Sequence, residues 1–246
     1  MSAYDALAGA YDALTYDIPY ETILRFWEAV LQQEGKAPET VLDLACGTGS
    51  LSVLLAEKGL RVLGCDISEE MLTEAADKAA DCENPPFFIR QSMQTLQLPY
   101  PVDWIVCCLD GINYLTDPAD CRETFRRCME SLNPGGILTF DINSAAKLRG
   151  LDGQVWLDEN EDTYCVWRTE FDEEENICYY GVDLFTLSGR HWDRAFEEHR
   201  QYAYSAEELT QYLKEAGFTG IRLFGDMTMD APGEKTQRIL ISAIKE

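Results

Sequence analysis

From Val41 onward, short runs of apolar, β-favouring residues alternate with stretches whose apolar positions recur every three or four residues. That alternation builds a parallel sheet covered by helices on both faces, an α/β fold. Strands are predicted over 41–45, 61–66, 87–90, 104–108 and 137–141, and near the end over 221–224 and 238–244. The 104–108 run is apolar enough to be a central strand buried on both sides. A helix over 51–58 ends at Gly59, which supplies a left-handed cap. Ser68 caps the next helix, with Glu69 and Glu70 opposing the positive helix end and Met71 and Leu72 opening its buried face. Asp117-Pro118 starts a helix through about Leu132, and Asn133-Pro134-Gly135-Gly136 then turns into the fifth strand. Ser205 and Glu208 have the spacing of a capping box, and Gly217 ends that helix.

One segment, 150–204, breaks the alternation. Strand-like pieces at 164–171, 177–187 and 192–202 are joined by hairpin turns at 172–176 and 188–190. They predict an antiparallel insert that leaves the sheet after the fifth strand and returns at Ser205. Asp158, Glu159, Glu161 and Asp162 and the run 172–175 read as solvated hairpin loops. The resulting layout is an N-terminal helical cap (1–36), a core (37–145), the insert (150–204) and a return to the core sheet (205–246), within a single domain.

Composition narrows the function. At 246 residues, 46% hydrophobic, the chain can bury a full core, and no apolar run approaches the roughly 20 residues of a membrane span. The first twenty residues are acidic and tyrosine-rich, unlike a signal peptide, so a cytoplasmic location is expected. Nine cysteines, an odd number without a CxxC pair, read as reduced and mostly buried thiols. A formal net charge of -24 disfavours a nucleic-acid substrate, whose affinity comes from Lys and Arg, and it is explained most simply as a solubilising surface. Monomer and homodimer both remain open.

The chemistry concentrates where the first strand turns into the first helix, in Val41-Leu-Asp-Leu-Ala-Cys-Gly-Thr-Gly49. Crevices at the carboxyl ends of strands are ligand sites in open α/β sheets. Gly47 and Gly49 permit close backbone approach, and free helix-start amides favour electron-rich groups. Dinucleotide enzymes use a related G-x-G-x-x-G turn, but here Ser52 stands at the third glycine and Asp43 precedes the loop. A carboxylate there repels a pyrophosphate and suits an ammonium, directly or through water. Asp66, ending the second strand, is placed to accept hydrogen bonds from both hydroxyls of a ribose. Together they call for an amino acid joined to a nucleoside.

Those residues, with Val62-Leu-Gly-Cys-Asp-Ile-Ser68 and Leu132-Asn-Pro-Gly-Gly-Ile-Leu-Thr-Phe-Asp-Ile-Asn143, resemble the class I S-adenosylmethionine-dependent methyltransferases, closely over about 41–141 and loosely elsewhere. The resemblance implies a Rossmann-like seven-stranded sheet whose last strand runs antiparallel, with the cofactor across the carboxyl ends of its first strands. It places Ala45 and Gly47, with Cys46 between them, around the methionine part, Asp66 on the ribose and Ile67 on the adenine. Met71 closes that pocket and Met93 stacks on the ring. The family's acidic residue after the third strand is Ser92 here, whose hydroxyl can still accept from the adenine amine at about 1 kcal/mol. Related small-molecule enzymes fold an N-terminal Tyr-Asp pair such as Tyr11-Asp12 over the cofactor, which makes Tyr11 and Tyr20 candidates. The repeated YDAL at Tyr4 and Tyr11 equally suits a packing stripe.

After the fourth strand, Leu109 by its backbone and Asp110 and Asn113 by their side chains lie between cofactor and acceptor, with Tyr114 following. Asp110 reads as well as a helix cap. The chain lacks the N-P-P-Y-type run that marks methylation of nucleobase or glutamine amines, so the expected acceptor is a small molecule, modified at N or O. Trp156, Trp167, Tyr179 and Trp192 make the insert a candidate substrate lid. The two histidines, His191 and His199, read as solvated strand residues, and no metal site is expected. No catalytic residue is assigned: orientation of an activated methyl is worth roughly 7 to 11 kcal/mol, whereas a general base adds about 3 to 5. A nicotinamide-dependent oxidoreductase and a non-catalytic cofactor-binding module are the alternatives.

Overall fold

In the computed structural model, which describes residues 7–246, seven strands form one mixed sheet and four more form a second, antiparallel one. The chain begins with α1 (Ala8–Leu14) and α2 (Tyr20–Gln33). The core then alternates β1 (Thr40–Leu44), α3 (Ser50–Glu57), β2 (Arg61–Asp66), α4 (Glu69–Ala79), β3 (Phe87–Arg90), β4 (Val102–Cys107), α5 (Pro118–Ser131) and β5 (Leu132–Asn143). A short α6 (Ala145–Gly150) leads into β6 (Val155–Glu159), β7 (Thr163–Asp172), β8 (Ile177–Ser188) and β9 (His191–Tyr202). The chain returns through α7 (Ala206–Ala216), β10 (Thr219–Gly225) and β11 (Arg238–Ile244).

The large sheet runs β3-β2-β1-β4-β5-β11-β10. The first five strands pair in parallel, and β11 is antiparallel to both of its neighbours. Reversal between β2-β1 and β4 leaves a crevice at the carboxyl ends of β1 and β4. Alternation along the strands builds both cores. Leu42, Leu44, Ile105 and Cys107 pack toward α5 and α7, while Val41, Trp104 and Val106 pack toward Trp27 and Val30 of α2 and Leu51 and Leu55 of α3. Strands covered on both faces are apolar at nearly every position, which is why β1 is buried throughout.

The insert sheet, ordered β6-β7-β8-β9, packs Cys165, Val182 and Leu184 onto Leu7, Tyr11 and Leu14 around α1. The helix starts follow local chemistry: Ser68 caps α4, Asp117 caps α5 with Pro118 behind it, and Ser205 and Glu208 close a reciprocal box on α7. Among the described residues no helix is long and apolar enough to cross a membrane.

Three elements differ from the sequence reading. The turn at 133–136 is absorbed into β5, which starts at Leu132; Gly135 at φ +78° and a register shift opposite Val102 and Trp104 take up the irregularity. β6 was not expected, because its alternation of exposed Val155, Leu157 and Glu159 includes two of the acids assigned to a loop. α6, announced only by Ser144 accepting from the Lys147 amide, is too short to carry a periodic signal.

Candidate functional site

The chain leaves β1 through a tight turn in which Ala45, Gly47 and Gly49 take φ of 58°, 53° and 73°. At Gly47 a Cβ would meet nothing within 4 Å, so the turn's backbone faces open space there. Gly49 is different. A Cβ on it would come within 2.8 Å of the Ala75 Cβ, so this glycine serves close packing on α4 and does not border the cleft. Asp66 braces the turn from β2: its Oδ2 accepts from the Gly47 amide at 2.9 Å and its Oδ1 from the Ser68 amide at 3.0 Å. Asp43 is 2% exposed, and the Ser52 hydroxyl donates to its Oδ2 at 2.6 Å. Ser52, standing where a dinucleotide turn carries glycine, is thus the partner of the carboxylate such turns lack.

A second strained turn follows β4, where Leu109 (φ 60°) and Asp110 (φ 58°) are both left-handed. Consecutive non-glycine residues in that region cost on the order of 1 kcal/mol each. Asp141 holds them by accepting from the Leu109 amide at 2.8 Å and the Asp110 amide at 3.0 Å. The Leu109 N–H is therefore committed to the fold.

Between the two turns lies a cleft of about 840 Å³. Asp43, Ala45, Cys46 and Gly47 line it from the end of β1, Asp66 and Ile67 from β2, and Met71 from α4. Met93 borders it beyond β3 and Leu109 and Tyr114 beyond β4, while Tyr11 and Tyr20 close it from α1 and α2. Thr48, Leu51, Cys108 and Gly111 also line it and were not anticipated, although all four neighbour residues of the two recognised runs. An adjoining pocket of about 500 Å³ shares Ala45, Asp66, Ile67, Met93 and Tyr114 and adds Ser92.

A latch holds α1 across the glycine turn. Asp12 accepts from the Thr48 hydroxyl at 2.6 Å and pairs with Lys78 of α4 at 2.6 Å, while Lys78 also donates to Ser50 at 2.6 Å. Tyr11, the next residue along α1, is thereby set over the cleft. Tyr4 lies outside the described residues.

Burial dominates the electrostatics. It pushes the Asp43 carboxyl up to about 7 against the opposing Ser52 hydrogen bond, with Asp66 adding to the rise. Burial also raises Asp66, opposed by the Ser68, Gly47 and Ile67 amides. Desolvation lifts Tyr11 well above the usual phenol range and Tyr20 to about 12. Among the described residues that line the cleft, none is Lys or Arg. Two desolvated carboxylates without a cation offer one place for a ligand's ammonium and another for hydroxyl donors, with Ile67 and Met93 as apolar walls for a ring.

Asp110 and Asn113 do not reach the cleft. Arg238 donates to Asp110 Oδ1 at 2.9 Å and Gln201 to its Oδ2 at 2.6 Å, and the side chain makes no helix-cap bond. Asn113, fully buried, donates to the carbonyls of Asn143 and Tyr202 and accepts from the Asn143 amide. Arg238 also binds Asp141, so it is shared by two carboxylates, and Lys147 donates to Asn143 Oδ1 at 2.8 Å beside them. This network ties β9 of the insert to the turn after β4. Trp167 stacks on Trp156 at 6.0 Å and packs toward α1, and it is not among the residues lining the cleft. Tyr179 and Trp192 alternate to the other face of the insert, and Trp192 is 49% exposed. His199 is also unlike its sequence reading: it is 2% exposed, with Nδ1 at 3.4 Å from the Tyr114 hydroxyl and Nε2 at 3.1 Å from Glu197.

Comparison with known proteins gives a consistent answer. The family described as "Methyltransferase domain" matches residues 41–136. YqeM of Bacillus subtilis (strain 168), which carries a methyltransferase name, is 34% identical over 98% of this chain and 97% of its own. A similarly named protein of Geobacillus sp. (strain WCH70) is 32% identical over 98% and 99%. Among solved structures, a S-adenosylmethionine-dependent methyltransferase from Clostridium acetobutylicum ATCC 824 superposes with a TM-score of 0.88 at 28% identity, covering 99% of both chains.

Proposed function

This chain belongs to the class I S-adenosylmethionine-dependent methyltransferases, and we propose that it methylates a small-molecule acceptor, at nitrogen or oxygen, by direct in-line transfer. The observation that carries the reading is the cleft itself: it is closed over by α1 and α2, bounded by Asp43 and Asp66, and lined among the described residues by no Lys or Arg. Such a lining disfavours a phosphate backbone, as does the net charge of -24.

In this reading Asp43 and the turn at Ala45, Cys46 and Gly47 hold the amino-acid part of the cofactor. Asp66 takes the ribose hydroxyls, Ile67, Met71 and Met93 enclose the adenine, and Ser92 accepts from its amine. Bound S-adenosylmethionine supplies a methyl group on a sulfonium, whose carbon–sulfur electron pair stays with sulfur as the acceptor's lone pair forms the new bond. The protein's part is to dry the cleft and align the acceptor, and such orientation is worth roughly 7 to 11 kcal/mol. Tyr11 and Tyr20 exclude water from above, and the β6–β9 sheet acts as the substrate lid by backing α1, steadied by the Gln201 to Asp110 bond. The chain works in the cytoplasm on this account, without nucleic acid or membrane as partner.

Incubation with methyl-labelled S-adenosylmethionine and a metabolite extract tests the assignment. One or a few small molecules should gain label by mass spectrometry. Binding without any labelled product, or label confined to macromolecules, would overturn it.

A further inference from the structure

We propose that Tyr114, His199 and Glu197 form a proton-accepting chain facing the methyl acceptor, and that the acceptor therefore presents a hydroxyl group. The proposal rests on the methyltransferase reading and adds to it a base and a substrate class.

Tyr114 lies at the end of the 3-10 turn Gly111–Tyr114 and borders both the main cleft and its adjoining pocket. Its hydroxyl is 3.4 Å from His199 Nδ1, and the far ring nitrogen, Nε2, is 3.1 Å from Glu197 Oε2. His199 is 2% exposed and the Glu197 side chain 9%, so the chain runs inward from the cleft wall into the insert. The rings of Tyr114 and His199 meet edge to face at 6.1 Å, which fixes the imidazole plane. Glu197 also accepts from the Leu7 amide at 3.3 Å. A carboxylate at Nε2 selects the tautomer with its proton there and leaves Nδ1 as the acceptor for a phenol. Other groups near the chain are Tyr180, directly across from His199 on β8, Asp110, Tyr11 over the same cleft, and Cys165 near Glu197.

The nearby carboxylates have other roles. Asp43, bonded to the Ser52 hydroxyl, and Asp66, bonded to two backbone amides, stand on the cofactor side of the cleft, and Asp110, which does not reach it, takes both Arg238 and Gln201. Tyr114 instead leads to an imidazole backed by a carboxylate. As the acceptor oxygen uses a lone pair for its bond to the methyl carbon, its proton passes to Tyr114 Oη and the phenol's own proton to His199 Nδ1. The imidazole gains the positive charge that the donor sulfonium loses, and Glu197 stabilises it until the proton leaves to solvent. A neutral amine attacks without prior proton loss, whereas a hydroxyl needs its proton removed as the bond forms. A buried chain of this kind is matched to the second case.

Two measurements decide it. In the ligand-free protein, 15N NMR of the two imidazoles should show His199 as a single tautomer protonated at Nε2, with its Nδ1 resonance moving in Tyr114→Phe while His191 does not. Averaged nitrogens at His199, or no response to the substitution, would overturn the chain. With the labelled acceptor, the product should be a methyl ether. Tyr114→Phe and Glu197→Gln should each lower turnover about 10²-fold with S-adenosylmethionine affinity nearly unchanged. The variants' rates should keep rising tenfold per pH unit where the parent levels off. An N-methyl product, or parental rates and pH profile in Tyr114→Phe, would overturn the proposal. Absence of S-adenosylmethionine binding by the parent protein would instead strike the methyltransferase reading, with the NMR result still deciding the chain.

Discussion

The Gly47 amide donates to Asp66 Oδ2 across 2.9 Å, so the glycine turn after β1 and the carboxylate ending β2 move as one unit. The Ser68 amide fixes the other oxygen, and each oxygen keeps a second lone pair for a ligand. The geometry of the site is thus set before any ligand arrives.

Asp66→Ala removes both braces together with the proposed diol acceptor. Affinity for S-adenosylhomocysteine should fall at least about 10²-fold, since hydrogen bonds to charged groups are worth about 1.5 to 3 kcal/mol each. Asp66→Asn, which retains an acceptor, should lose less. Isothermal calorimetry ranks the three proteins.

Asp43 makes binding pH-dependent. Its folded carboxyl titrates near 7, far above its unfolded value, because burial disfavours the charge. An ammonium beside it favours the charged form, so affinity should rise with pH and level off above about 7. The same raised value means that Asp43 contributes stability below its unfolded pKa, and that this is lost as pH rises through 7. Asp43→Asn should therefore raise the melting temperature of the ligand-free protein at pH 8 while weakening cofactor binding and flattening its pH dependence. A lower melting temperature in that variant would contradict the assignment of a desolvated charge.

The latch from Asp12 to Thr48 and Lys78 should matter more for binding than for folding. Its ion pair is partly exposed, with side chains 46% and 27% accessible, so the global cost of Asp12→Ala should stay within about 1 kcal/mol. Cofactor affinity should drop about tenfold, as α1 no longer holds Tyr11 over the cleft. Lys78→Ala should do the same, and the double variant should add little, as a thermodynamic cycle would show.

Arg238→Met leaves Asp110 and Asp141 facing each other without their shared cation. Breaking a buried pair from one side costs about 3 to 5 kcal/mol, which urea unfolding would register. The turn at Leu109 and Asp110 is held by Asp141, which Arg238 positions, so ligand binding should weaken as well.

The sequence made the core and much of the cleft lining legible because both depend on local pattern. Strand runs and the caps at Ser68, Asp117 and Ser205 are local to one element, and the Asp43, Gly47 and Asp66 spacing lies within one β-α-β unit. What stayed hidden depends on contacts between distant segments. Asp110 reads as available in the sequence, but Arg238 and Gln201, about a hundred residues on, occupy it, and Asn113 is taken by Asn143 and the Tyr202 carbonyl. His199 sits in a strand with charged neighbours and reads as solvated, yet the turn carrying Tyr114 buries it. Gly49 was assigned to the ligand by its motif, and only the packing of Ala75 reveals its role.

The most direct test is a crystal structure with S-adenosylhomocysteine. The account predicts the ligand across the carboxyl ends of β1 and β2, both ribose hydroxyls within about 3 Å of Asp66, and the ammonium on Asp43 directly or through one water. A ligand bound elsewhere, or bound in the cleft with neither carboxylate in reach, would contradict it.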